Sequence, residues 1–130
     1  MKELREVILL VKFYLVGIID NARIYHYYVE GKEDREYGII KILVNEMDAE
    51  IQKVAPDDFQ RWIPVEEINK LRNGVNKRRI EDGEPELTEE EWPIATEGYL
   101  ETMYADHAIR RIIEALEQGE VLEKGIAAWY

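Results

Sequence analysis

The feature that most constrains this chain is a succession of four β-prone segments, separated by short polar breaks, within the first 55 residues. The segments are residues 6–18, 23–30, 37–44 and 49–55, and they are rich in β-branched and aromatic side chains, which suit a pleated sheet. Parallel pairing needs crossover connections of about a dozen residues or more, and the breaks are too short for that. The sequence therefore predicts a four-stranded antiparallel meander, with the charged fourth segment at an edge.

The second segment, RIYHYYVE, carries most of the clustered tyrosines. Its side chains alternate between two faces, as in any strand. One face holds Ile24, His26 and Tyr28, and the other holds Tyr25, Tyr27 and Val29. Tyrosine is common at protein interfaces because it combines a large contact area with a polar tip. A core or half-exposed sheet face is the simpler interpretation of the cluster, and a binding surface is the alternative.

The second half of the chain has helical patterns. Pro64 precedes apolar residues at helical spacing, and Gly83 marks where that helix is expected to have ended. The segment 105–116 has the clearest pattern, with apolar residues at i, i+3, i+4, i+7 and i+8 that form one stripe. Between these helices, residues 81–93 are acidic, and Thr88 and Glu91 have the spacing of a capping box.

Together these patterns predict an α+β fold, in which the four-stranded meander of the N-terminal half packs against two or three helices of the C-terminal half. The stripe in 105–116 is expected to lie on the sheet, and the apolar tail 127–130 is expected to dock. We find no internal repeat or linker, so residues 1–130 are expected to form a single domain.

The net charge of −11 bears on partners and location. Such a charge disfavours nucleic-acid binding and favours association with a basic protein. The apolar run 7–19 is too short and too interrupted by Lys12 for a membrane span. The chain contains no cysteine, which favours a cytoplasmic protein without disulfides. We therefore expect a cytoplasmic protein with no membrane partner.

The chain offers little for catalysis. It has no cysteine and no serine, its glycines are isolated, and its two histidines, His26 and His107, lack the spacing of a metal site. We therefore expect no catalytic residue, no metal and no cofactor. The adjacent carboxylates Asp57 and Asp58 would suit a general acid/base pair, although a turn or N-cap role is the simpler interpretation.

The sequence favours a non-enzymatic protein-binding module, either an inhibitor or immunity-type protein that neutralises a basic partner or a protein that self-associates. The alternative is a small ligand-binding protein or a carboxylate-dependent hydrolase, with a pocket lined by aromatic and acidic groups. A third hypothesis, nucleic-acid binding through the basic segment 70–79, has little support. The candidate binding residues are Tyr25, Tyr27, Tyr28, Asp57 and Asp58.

Overall fold

The computed structural model describes residues 8–130, which separate into two compact units. The first unit comprises residues 8–59 and 102–130, and the second is Gln60–Glu101. The elements in chain order are β1 (Leu9–Ile19), β2 (Ala22–Val29), β3 (Gly38–Leu43), β4 (Asp48–Lys53), β5 (Gln60–Ile63), α1 (Val65–Glu81), β6 (Tyr99–Thr102), α2 (Tyr104–Glu117) and β7 (Lys124–Trp129). That the whole chain is a single domain stays a prediction.

The first unit contains a five-stranded antiparallel sheet in the order β4-β3-β2-β1-β7. The α+β class and the antiparallel pairing are confirmed, but the prediction of four strands is wrong. The strand that was missed is β7, which returns at the end of the chain and pairs with β1. Its sequence, KGIAAW, has two small alanines and a glycine, so its β signal is weak. Residues 6 and 7 of the predicted first strand lie outside the described residues.

The prediction that two or three helices pack on the sheet is also wrong. Residues 8–130 contain two helices, of which α2 contacts all five strands of this sheet, whereas α1 belongs to the second unit. The predicted stripe of α2 is confirmed. Its members Ala105, Ala108, Ile112 and Leu116 are buried, and Ile109 and Ile113 are partly buried against the core. Neither helix in the described part of the chain is long and apolar enough to cross a membrane.

The core of the first unit lies between α2 and one face of the sheet. Two of its largest side chains lie directly opposite glycines on neighbouring strands: Tyr27 faces Gly38, and Phe13 faces Gly125. A Cβ atom at Gly38 would come within 2.0 Å of the Tyr27 ring, and one at Gly125 within 2.5 Å of the Phe13 ring. These glycines therefore provide the space that the buried rings occupy.

The second unit combines α1 with a two-stranded sheet formed by β5 and β6. The acidic connection after α1 folds back along that helix, where Arg79 pairs with Glu84 at 3.2 Å and Arg72 donates to the Trp92 carbonyl at 2.7 Å. The backbone N–H groups of Thr88 and Glu91 each donate to the other residue's side chain, as the capping-box spacing predicts. Strands β5 and β6 were not predicted, because they are only four residues long.

Candidate binding face of the sheet

Two of the three candidate tyrosines lie in the core. Tyr25 and Tyr27 are fully buried beneath α2. The Tyr25 hydroxyl donates to the Leu122 carbonyl at 2.5 Å, and burial raises the pKa of this phenol to about 12. Burial also raises the pKa of Tyr27 far above its ordinary value. These two side chains are therefore inaccessible to a partner.

The two candidate carboxylates lie in different environments. Asp58 is buried, and its carboxylate accepts hydrogen bonds from the Tyr27 hydroxyl and from the backbone N–H groups of Met103, Tyr104 and Ala105. Asp57 is exposed and forms an ion pair with Arg35 at 3.4 Å. Because Asp58 is fully occupied in holding the start of α2, the geometry does not favour an acid/base pair.

The third candidate, Tyr28, lies on the sheet face that α2 does not cover, where it joins three other aromatic side chains. Its ring contacts those of Tyr14 and Tyr37 edge to face, with centroids 5.9 and 6.0 Å away. The Tyr37 ring also stacks on His26, with centroids 3.7 Å apart and planes within 11° of parallel. We call the surface formed by Tyr14, His26, Tyr28 and Tyr37 the aromatic face. All four side chains are half-exposed.

Lysines flank the aromatic face on both sides. On one side, Lys12 lies opposite Tyr28 and Lys124 lies opposite Tyr14 in the strand register. With Ile126, whose side chain is 54% exposed, they border a shallow hollow of about 480 Å³. On the other side, Lys53 lies over the Tyr37 ring, 5.3 Å from its centroid.

These lysines differ in how far their charges are balanced. On the β4 side, Lys53 forms an ion pair with Glu36 at 2.8 Å. Within residues 8–130, neither Lys12 nor Lys124 has an ion-pair partner. Two lysines and one carboxylate, that of Glu33 beside Tyr14, therefore leave the side of the aromatic face next to β7 with a small positive balance on a chain of net charge −11.

Neighbouring groups shift the pKa values of two residues of the aromatic face, His26 and Tyr14. Desolvation and the nearby Lys53 ammonium lower the pKa of His26, so the imidazole is neutral at pH 7. A hydrogen bond with Glu33, aided by desolvation, raises the pKa of the Tyr14 phenol. The charged groups at this surface are therefore the flanking lysines and the Glu33 carboxylate beside Tyr14.

The sequence contained a signal for part of this surface, since strand alternation places Tyr28 and His26 together and opposite to Tyr25 and Tyr27. It did not show which of the two faces α2 covers. The candidate residues therefore combined core and surface tyrosines, and omitted Tyr14, His26, Tyr37, Lys12 and Lys124.

Within the described residues, no three histidine, aspartate or glutamate side chains cluster closely enough to hold a metal ion. Comparisons with protein-family models, curated proteins and solved structures find no match to this chain. The aromatic face is therefore interpreted from its own geometry and charge.

Proposed function

We propose that this protein is a non-enzymatic binding protein whose aromatic face docks a protein partner. The observation that supports the proposal is the connected, half-exposed set of rings on the uncovered side of the sheet. Tyrosine gives large contact area at a low cost in side-chain entropy, and these rings already hold one another in place. A partner therefore meets a surface that needs little ordering on binding.

The ring geometry favours a protein over a single-stranded nucleic acid. Nucleic-acid platforms present free ring faces on which bases stack. Here His26 and Tyr37 cover one face of each other, and Tyr28 meets its neighbours edge to face. The net charge of −11 adds long-range repulsion of a phosphate backbone.

The charge at the contact indicates the chemistry of the partner. The unbalanced charges of Lys12 and Lys124 suit carboxylates placed around an apolar group that enters beside Ile126. Two copies joined through this face would bring these lysines together, which disfavours self-association here. The sequence favoured a basic partner because of the net charge, but the local charge of this face favours acidic side chains at the contact.

The proposal is tested by affinity capture with matched variants. The wild-type chain, Lys12→Glu, Tyr28→Ala and a control, Arg110→Glu, are immobilised and exposed to lysate of the cells that make the protein. Arg110 is exposed on α2, so its reversal makes the same charge change away from the aromatic face. We expect a protein with an acidic, apolar contact segment that is retained by wild type and Arg110→Glu and lost with both face variants.

Direct titration of the purified partner follows, and circular dichroism confirms that each variant is folded. We expect Lys12→Glu to weaken binding about tenfold or more, in line with a charge pair at an interface. The proposal is overturned if every captured protein binds Lys12→Glu and Tyr28→Ala as well as wild type. It is also overturned if a single-stranded oligonucleotide binds wild type and is lost with those variants.

A further inference from the structure

The second unit contains an open groove that the aromatic face does not share. Its volume is about 730 Å³, and all its lining residues belong to α1, β5, β6 and Trp92. Its surface is largely apolar, yet Leu71 remains 62% exposed and Tyr99 54% exposed. Pockets for small organic ligands have volumes of about 300–1,000 Å³ and mostly apolar walls with a few polar groups.

A glycine lies in the wall of this groove, in the middle of α1. Glycine is less favourable in a helix interior than alanine, so its presence calls for a reason. At Gly74 the chain supplies none, because a Cβ atom there would meet nothing within 4 Å and its φ is not left-handed. What the missing side chain does provide is room in the groove, so that a ligand can approach the helix backbone closely.

Two cations flank the gap that the missing side chain of Gly74 leaves in the groove wall, which we call the notch. Lys70 and Arg78 are four residues before and after Gly74, so each lies about 6 Å along the helix axis from it, on the same side. Both side chains are long enough to meet above the notch. In the described part of the chain neither has an ion-pair partner, whereas Arg61 at the other end of the groove is paired with Glu67 and Glu101.

We propose that this groove binds a small apolar carboxylate, of the kind exemplified by a medium-chain fatty acid. Its carboxylate occupies the notch at Gly74 between Lys70 and Arg78, and its hydrocarbon part covers Leu71 and Tyr99. The class of ligand follows from the charges: three cations and two carboxylates line the groove, so one negative charge balances it. A carboxylate carries one charge at neutral pH, whereas a phosphate monoester carries nearly two.

The test is calorimetric titration of the full chain with decanoate, kept below its micelle concentration, and with decan-1-ol as the uncharged analogue. We expect decanoate to bind at one site. The alcohol, which keeps the chain and lacks the charge, is expected to bind at least about tenfold more weakly, in line with loss of charge-assisted hydrogen bonds.

Two substitutions separate binding from stability at the notch. Gly74→Ala is expected to raise the unfolding temperature by about 4 °C, because alanine is the better helix former, and to weaken decanoate binding about tenfold or more. Asn73→Ala is its control, since Asn73 is exposed on the same helix and does not line the groove. It is expected to favour the helix as well, but to leave decanoate affinity within about twofold of wild type.

Two further variants test whether the charges of Lys70 and Arg78 bind the carboxylate. The double variant Lys70→Gln/Arg78→Gln is expected to lose the preference for decanoate over decan-1-ol. Lys77→Gln, an exposed cation of α1 outside the groove, is expected to keep it.

Failure to bind decanoate overturns the proposal, and so does a Gly74→Ala variant with undiminished affinity. A second copy of the chain is the other occupant to test, by sedimentation of the ligand-free protein. A dimer that Gly74→Leu dissociates would assign the groove to that second copy and overturn the proposal.

The titration is repeated with Lys12→Glu, because Lys12 and Lys124 also present positive charge beside Ile126 on the aromatic face. We expect this variant to bind decanoate within about twofold of wild type. Loss of decanoate binding in Lys12→Glu would assign the ligand to the aromatic face and overturn this proposal.

Discussion

The buried carboxylate of Asp58 accepts a hydrogen bond from the hydroxyl of Tyr27 at 2.8 Å. The same hydroxyl accepts the backbone N–H of Ala55 at 2.9 Å, and the carboxylate also accepts backbone N–H groups at the start of α2. Helix α2 has no side-chain cap from its own N-cap residue, Met103. Asp58 therefore serves as a cap supplied from elsewhere in the chain, and its negative charge suits the positive end of the helix dipole.

We expect Asp58→Ala to lower the free energy of unfolding by about 3 kcal/mol, because buried N–H groups and the Tyr27 hydroxyl would lose their acceptor. Asp57→Ala is the matched control. Since Asp57 is exposed and its ion pair with Arg35 is at the surface, it should change that free energy by about 0.5 kcal/mol or less. Urea denaturation of both variants measures the difference, and equal effects would show that Asp58 is not a cap.

The space opposite Tyr27 is a second sensitive position. Gly38→Ala would place a methyl group 2.0 Å from the Tyr27 ring. We expect the resulting overpacking to lower the free energy of unfolding by about 3 kcal/mol. Gly17→Ala, in β1, is the control because its Cβ atom would lie 3.6 Å from Ile24, an ordinary contact. The free energy of unfolding of Gly17→Ala should stay within about 0.5 kcal/mol of the wild-type value. A stable Gly38→Ala variant would contradict the packing of this ring.

The pH dependence of stability should report on His26. Its pKa is lower in the folded chain than the ordinary value of 6.5, so below that pH the unfolded chain binds more protons at this site. Stability therefore falls as the pH drops through about 6.5, and it is unaffected by this group at higher pH.

The comparison that isolates this effect is His26→Gln, whose stability should fall less than that of wild type between about pH 7.5 and pH 5.5. Chemical denaturation at the two pH values measures the change in the free energy of unfolding for each protein. The contribution of the carboxylates is the same in both proteins, so it cancels in the comparison. An equal or larger loss in the variant would contradict a lowered pKa at His26.

In this chain, strong periodic patterns predicted the structure well. Short strands and contacts between residues far apart in the sequence were not predicted. The stripe of α2 and the strand alternation of residues 23–30 are local properties, so the sequence could reveal them. Which face of β2 is buried depends on where α2 lies, and local sequence does not specify this. The capping of α2 by Asp58 joins residues 45 or more positions apart, and no motif of the chain marks it.

The fifth strand provides the last prediction, because it is the part of the sheet that the sequence did not reveal. Trp129, in β7, stacks on His107 of α2 with centroids 3.7 Å apart, and it meets Tyr104 edge to face at 5.2 Å. These contacts fix the strand to the helix as well as to β1. We expect Trp129→Ala to lower the free energy of unfolding by about 3 kcal/mol, through lost burial and ring contacts.

Tyr130→Ala is the matched control, since the adjacent side chain is 84% exposed and its removal should cost about 0.5 kcal/mol or less. Urea denaturation gives both values. Hydrogen exchange at the β1 amides adds a structural readout, because Leu15 N–H donates to the Glu123 carbonyl at 2.7 Å, next to the ladder with β7. Trp129→Ala should speed exchange along β1 and Tyr130→Ala should not. Unchanged exchange in both variants would mean that the strand is held without the tryptophan, by its backbone pairing alone.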